Sequence, residues 1–377
     1  MSSVIDTSDH PSSPLAAAKA LSDSLAPGAN PLDQLLQDLA LDDEIRAAGL
    51  LLGPVRSGQL KLERIAPACG SGVSDLVEQL LRVSQLKLGG PSANAPQNEQ
   101  SEALRRMLLA TIADPRLMVV RLAEQLIELR GLKRADQSSR REAAIRTQEI
   151  FAPLANRLGV WQLKWELEDL SFRFLEPDSY RNIAAQLNER RADREAYINH
   201  AIQEVTKVLR DAGIKAQVLG RPKHIYSIWK KMRAKGLSFE HLFDIRALRI
   251  LVDDVADCYA ALGVVHGQWP YLDGEFDDYI ANPKENGYQS LHTAVLGPAN
   301  VPMEVQIRTV HMHNQAELGV AAHWRYKEGG KAGINMDARV RWLRQLLEPT
   351  DADESGDDFV DRIKSEILEE RVYVFSP

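Results

Sequence analysis

The chain has 377 residues, with 46 Lys and Arg against 53 Asp and Glu, a formal net charge of −7, 44% hydrophobic and 26% charged residues. That is the composition of a globular protein, and at roughly 100–200 residues per domain the length predicts two or three domains. It excludes a membrane-spanning helix, because apolar runs such as Leu248 to Val252 are too short. Residues 1–30 lack the basic flank and apolar block of a signal peptide. Two cysteines, Cys69 and Cys258, exclude a disulfide framework and a cysteine-based zinc site, so the expected setting is a reducing cytoplasm with no membrane partner.

Residues 1–30 are rich in Ser, Pro, Asp and Ala and read as a flexible N-terminus with at most one helix. From Pro31 to about Ala196 the pattern is helical. Pro31 stands where proline starts a helix. Leu117 to Leu129 and Trp161 to Phe174 repeat apolar residues at three and four. Gly89 to Gln100 has the composition of a loop inside this half. After Asn199 the texture changes. Short β-rich runs (Lys215–Leu219, Ile245–Val252, His292–Leu296, Met303–Arg308) alternate with helical pieces (Ile225–Lys235, Val255–Trp269, Asn314–Tyr326). The expected fold class is therefore α+β and multidomain: an all-helical half over 31–196, then an α/β domain with a mixed sheet over 197–335. A helical linker over 336–371 contains six carboxylates between residues 351 and 361, and 372–377 reads as the opening strand of another domain.

Three clusters carry chemistry. The first is Gly220 to Lys231. From Ala212 to Phe239 there are seven Lys and Arg and no acid, a focused positive field in an acidic chain. Gly-Arg-Pro ahead of a helix offers free N–H groups to an anion, and Lys223, Ser227 and Lys231 are spaced by four, as on one helical face. A phosphate cradle fits; a solvated basic helix or an RNA-facing patch fits as well. The second cluster is acidic. Asp244 opens one strand, and Glu304, Gln306 and Arg308 alternate with Met303, Val305 and Ile307 on another, so the polar three share a face. Two carboxylates on neighbouring strands suit Mg²⁺, and one of them suits proton abstraction; a structural ion pair with Arg246 or Arg249 is the plainer alternative. The third is Asn282 to His292, where Asn-Pro and Asn-Gly turns project Lys284, Asn286, Tyr288 and His292 from a loop into a strand. Tyr288 could stack on a nucleobase or plug the core edge. His311 and His313 have no further ligand pattern, so a surface or hydrogen-bonding role is expected for them.

Together these clusters resemble the synthetase domain of the RelA/SpoT family, the long (p)ppGpp synthetases. The resemblance rests on Arg221-x-Lys223-x-x-x-Ser227-Ile228, Leu242-Phe243-Asp244, Asn286-Gly287-Tyr288-Gln289-Ser290, Glu304 to Thr309 and Ala316 to Trp324, nearly without gaps from Gly220 to Gly330. It implies a nucleotidyltransferase-like α/β fold and transfer of pyrophosphate from ATP to the 3′-hydroxyl of GDP or GTP, releasing AMP. Carried over, Arg221, Lys223, Ser227 and Lys231 bind ATP. Asp244 and Glu304 hold Mg²⁺, with Glu304 as the base. Tyr288 stacks on guanine, and Lys284, Asn286 and His292 neighbour the guanosine nucleotide. The acidic stretch Glu275 to Asp278, taken as a loop, resembles the synthetase-only class and leans toward GDP.

The helical half then resembles an HD hydrolase that has lost its site. There is no histidine between His10 and His200, Leu52-Gly53 stands in register with the His-Asp pair, and Glu124 and Glu128 replace a metal-binding Asp and a catalytic Asn. The tail Val372 to Pro377 resembles the first strand of a TGS domain, and the resemblance implies ribosome and uncharged tRNA as partners of a missing C-terminal half. Two other functions fit parts of the pattern: an idle RNA- or ribosome-binding module using the basic helix, and transfer of a nucleotidyl group instead of pyrophosphate.

Overall fold

In the computed structural model the described residues are 13–25, 28–85, 113–189, 191–239, 242, 245–284 and 286–319. Asp244, the whole Gly89–Gln100 loop reading, the helix beyond Gly319, the 336–371 linker and the 372–377 strand lie outside them.

The N-terminal half is helical. It contains α1 (Pro14–Leu25), α2 (Pro31–Asp38), α3 (Asp43–Arg56), α4 (Ile65–Cys69), α5 (Ser71–Ser84), α6 (Pro115–Gly131), α7 (Gln137–Arg146) and α8 (Ala152–Arg157), with a π-helical turn, Thr147–Phe151, between the last two. Then come α9 (Trp161–Leu175), α10 (Pro177–Glu189) and α11 (Arg191–Asp211). The starts follow local chemistry. Asn30 accepts from the Leu32 N–H and Asp42 from the Ile45 N–H, satisfying donors that a helix start leaves open. The one helix allowed within residues 1–30 is α1, where Leu15 and Ala18 are buried and the helix packs along α3. A single core runs from Leu15 to Leu167. A fully buried leucine contributes roughly 1.5–3 kcal/mol, so Leu163 and Leu167 hold α9 firmly to this core.

The second half is a five-stranded mixed sheet: β1 (Ala216–Gly220), β2 (Ala247–Val252), β3 (Tyr271–Asp278), β4 (Leu291–Leu296) and β5 (Pro302–Thr309), in the order β1-β2-β5-β4-β3. Only the β2–β5 pair is parallel. The helices are α12 (Ile225–Lys235), α13 (Val255–Gln268) and α14 (Val310–Leu318). Leu248, Ile250, Val305, Ile307 and Val295 point to one face and form a core with Val205 of α11 and Val265 of α13. The opposite face is polar. A small third core, Ile183, Ile228, Phe239 and Leu242, ties α10 to α12.

Strand β3 corrects the sequence reading, which took Glu275 to Asp278 as a loop. The strand is an edge, mostly exposed, with a register shift between Tyr271 and Phe276 and Gly274 at φ +78°. Four acids and a glycine are poor strand formers. Pairing with β4 alone makes the strand.

Candidate active site

The polar face of the sheet is the floor of a cleft of about 660 Å³. Register places Arg249 beside Gln306, Gln306 beside His292, and His292 beside Asp277, a polar row across β2, β5, β4 and β3. One step along, Glu304 lies between Ala247 and Ala294. Partners in register share a face, so two methyl groups flank the carboxylate and leave room above it. Nine lysines and arginines line the cleft against five carboxylates, the reverse of the chain's net charge. Such a cleft concentrates anions.

Glu304 is held ionised. Arg221 Nη1 donates to its Oε2 at 3.3 Å and Gln306 Nε2 to its Oε1 at 2.8 Å, with His292 Nδ1 at 3.6 Å. Burial alone would raise its pKa; the Arg221 charge and the Gln306 hydrogen bond act against that, and the balance lies below the usual carboxylate range. His292 is neutral, its pKa pushed down to about 4, first by burial and then by the nearby Arg221 and Lys284. The Nδ1 edge of this neutral ring is toward Glu304, and Nε2 shares a hydrogen bond with the Tyr288 hydroxyl at 2.8 Å.

Tyr288 is reached through a turn. Gly287 at φ +75° needs the freedom of glycine. Its N–H donates to Lys284 O at 2.7 Å, and the Asn286 side chain accepts from the Tyr288 N–H at 3.2 Å. Tyr288 then sits half-buried among Tyr279, His292 and Trp161, with the Arg308 guanidinium 5.9 Å from its ring centre. Lys284 lies over Tyr279 at 4.5 Å.

Arg221, Lys223, Ser227, Lys231, Lys284, Tyr288, His292 and Glu304 all line the one cleft. Asn286 does not; it shapes the turn and donates to Asn156 O at 3.4 Å. Two local expectations are corrected. Lys223 precedes α12, so only Ser227 and Lys231 are on that helix. The free N–H groups expected at its start are partly taken, because Asp169 of α9 accepts from the Tyr226 N–H at 2.8 Å. The acids of β3 reach the site, since Glu275 and Asp277 line the cleft.

Other residues, to which the sequence reading gave no substrate role, also line the cleft. Arg249 donates to Glu317 Oε1 at 2.9 Å, and Arg308, 1% exposed, donates to the same oxygen at 3.0 Å and to His313 Nδ1 at 2.6 Å. Burial and the other guanidiniums push Arg249 down to about 10, still charged at neutral pH. The alternation of β5 placed Arg308 on the polar face; nothing in sequence placed Glu317 against it. His313 thus has the hydrogen-bonding role expected of it. From the helical half, α9 adds Trp161, Lys164, Trp165 and Glu168. Trp165 stacks on His224 at 4.7 Å, and Lys164 pairs with Glu168 at 3.3 Å.

In the helical half, Leu52 is buried in the core and a Cβ added to Gly53 would meet nothing. Arg56 and Arg121 clamp Glu124 at 2.9 and 2.6 Å, and Arg146 holds Glu128 at 2.7 Å. Guanidinium groups neutralise these carboxylates.

Residues 220–331 match the region found in RelA / SpoT proteins, and residues 27–161 match an HD domain. A Photobacterium angustum protein named GTP pyrophosphokinase is 46% identical over 352 residues, 92% of this chain and 47% of its own length. A Synechocystis protein named probable guanosine-3′,5′-bis(diphosphate) 3′-pyrophosphohydrolase is 43% identical over 348 residues, 91% of this chain and 45% of its own. The small alarmone synthetase 1 from Bacillus subtilis bound to its product pppGpp is similar at 21% identity and TM-score 0.32, over 49% of this chain and all of that one. The chain spans about half the length of the relatives it matches. Among the described residues no helix is long and apolar enough to cross a membrane. The cleft lies within the matched RelA / SpoT region apart from the wall that α9 supplies, and the HD segment precedes it: the chain belongs to the RelA/SpoT family.

Proposed function

We propose that the chain is the catalytic part of a (p)ppGpp synthetase, transferring the β,γ-pyrophosphate of ATP to the 3′-hydroxyl of GDP or GTP and releasing AMP. The observation that carries this reading is Glu304, an ionised carboxylate between two alanines on the floor of a cleft lined by cations. Nucleic-acid binding has no use for such a group. Moving both outer phosphates and leaving AMP requires the 3′-oxygen to bond to the β-phosphorus as the bond from that phosphorus to the α–β bridging oxygen breaks. The hydroxyl proton goes to Glu304.

The pairing of Arg221 with Glu304 bears on that step. Guanidinium groups bind phosphate oxygens in bidentate fashion. Drawing Arg221 toward ATP phosphates would free a Glu304 oxygen for the acceptor hydroxyl. Lys223, Ser227 and Lys231 are assigned to the same phosphates, in keeping with phosphoryl transfer by positioning and charge. Tyr288 offers the guanine a stacking face, with Lys284 and His292 beside it.

The donor chemistry fits Mg²⁺, since Glu304 is a hard, ionised oxygen ligand. Glu304 and Asp244 would hold the ion, which when bound neutralises charge on the transferred phosphates. The acids of β3 favour GDP over GTP, one charge fewer on the acceptor. We further propose that the helical half is an idle hydrolase, its ligand positions filled by Leu52, Gly53 and the arginine-clamped Glu124 and Glu128. On the resemblance alone, a cytoplasmic setting and ribosome and uncharged-tRNA partners are assigned to the full-length protein. The test of the enzymatic reading is Glu304→Gln with Asp244→Asn: each should abolish synthesis at an unchanged melting temperature, and retention of more than about a tenth of wild-type turnover would show that the carboxylate is misassigned.

A further inference from the structure

Helix α9 faces two ways. Leu163 and Leu167 are fully buried in the helical core, whereas Trp161, Lys164 and Trp165 line the nucleotide cleft. Its first residue is held in place from several directions. Gly159 at φ +69° turns the chain into α9, and Val160 is buried. Gly319, at the end of α14, approaches the same turn so closely that a Cβ there would fall 2.4 Å from the Gly159 carbonyl carbon. Asn286, in the loop ahead of Tyr288, donates to Asn156 O. These contacts fix the segment 156–161 of the helical half to the loop and helix that bound the guanosine side.

The result is a pair of rings from opposite halves. Trp161 and Tyr288 stand with centroids 5.5 Å apart and planes at 49°, and the Lys164 Nζ lies 4.8 Å from the Trp161 centroid. Trp161 is half-buried and on the cleft wall, where indole is the largest flat apolar surface a side chain can offer. Stacking of a base on an aromatic ring is largely indifferent to edge chemistry, and a base has a second face for a second ring.

We propose that Trp161 is a guanosine-binding residue: the base enters between Tyr288 and Trp161, so that the helical half supplies one of the two stacking faces of the acceptor site. This rests on the proposed function, which puts the base on Tyr288. Contact on both faces of a base needs roughly 7 Å between near-parallel rings, twice a van der Waals contact of about 3.5 Å, so this pair must widen from 5.5 Å and lose its 49° tilt as the base enters. The HD-like half is then retained for substrate binding, without any hydrolytic step.

The test is calorimetric titration of GDP, and separately of a non-hydrolysable ATP analogue, into the whole chain carrying Trp161→Ala, Trp161→Phe or Tyr288→Ala, with melting temperatures alongside. Expected are about tenfold weaker GDP binding for Trp161→Ala, recovery to within about threefold for Trp161→Phe, and ATP-analogue affinity within about twofold throughout. GDP affinity unchanged in Trp161→Ala but lost in Tyr288→Ala overturns the inference alone. Unchanged GDP affinity in both overturns the base site itself. Tighter GDP binding makes Trp161 a plug, and equal weakening of both ligands with a lowered melting temperature makes it structural; either overturns the inference. Should Trp161→Ala not fold, Trp161→Leu against Trp161→Phe decides the same question, since only the phenyl ring retains a stacking face.

Discussion

The Tyr288 hydroxyl and His292 Nε2 are 2.8 Å apart, and the other face of that imidazole looks onto Glu304 at 3.6 Å. Tyr288 is therefore linked to Glu304 through one imidazole ring. The hydroxyl as well as the ring face thus bears on the site. Tyr288→Phe removes a hydrogen bond worth about 0.5–1.5 kcal/mol, so turnover with GDP should fall severalfold while GDP affinity stays nearly unchanged. Tyr288→Ala also loses the stacking face, about 1–3 kcal/mol, and should weaken GDP binding about ten- to a hundredfold. Separate KM and kcat values for GDP distinguish the two effects.

Arg308 should be the costliest single truncation near the site. It is 1% exposed, gives hydrogen bonds to Glu317 and His313, and underlies the Tyr288 ring. Truncation strips these hydrogen bonds from Glu317 and His313, but Arg249 still pairs with Glu317, so the cost should stay below the figure of about 3–5 kcal/mol for a buried charge left wholly unpaired. Arg308→Ala should lower the urea midpoint sharply, and Arg308→Lys should recover part of it. An unchanged midpoint would mean that the Glu317 cluster contributes little to folding.

Stability should also fall in mild acid. His313 is held neutral, its pKa lowered to about 4 by burial and by Arg308, from an ordinary value of 6.5. The unfolded chain takes up the proton first as pH falls, so this contribution is whole above about pH 6.5 and is lost as pH drops toward 4. His313→Gln should give a shallower loss of urea midpoint between pH 7 and pH 5 than the wild type. Parallel slopes would refute the assignment.

The helical half should not hydrolyse ppGpp to GDP and pyrophosphate. Glu124 and Glu128 are neutralised by Arg56, Arg121 and Arg146, and Leu52 and Gly53 offer no ligand atom. Manganese-dependent release of GDP by the purified chain, absent from a mock preparation, would overturn this.

Much of the site was legible because its residues obey a strand period. The alternation of β5 put Glu304, Gln306 and Arg308 on one face and Val305 and Ile307 on the other, as the sheet has them. The turn chemistry of Asn286-Gly287 likewise located Tyr288. Strand β3 was missed because its local composition opposes its conformation; an exposed edge pairs through backbone groups that sequence does not display. The wall from α9 was missed for another reason. The 3.6-residue period of Trp161–Phe174 announces one buried face, but Trp161 meets Tyr288 across 127 positions of chain, a contact set by how two cores pack.

The most direct test of the central claim is to incubate the chain with ATP, GDP and Mg²⁺ and separate the nucleotides by anion exchange. Pyrophosphate transfer predicts AMP and a guanosine nucleotide carrying two additional phosphates in equal amounts, with neither formed by Glu304→Gln. Release of free pyrophosphate with an adenylylated guanosine product, or no consumption of ATP in the presence of GDP, would contradict it.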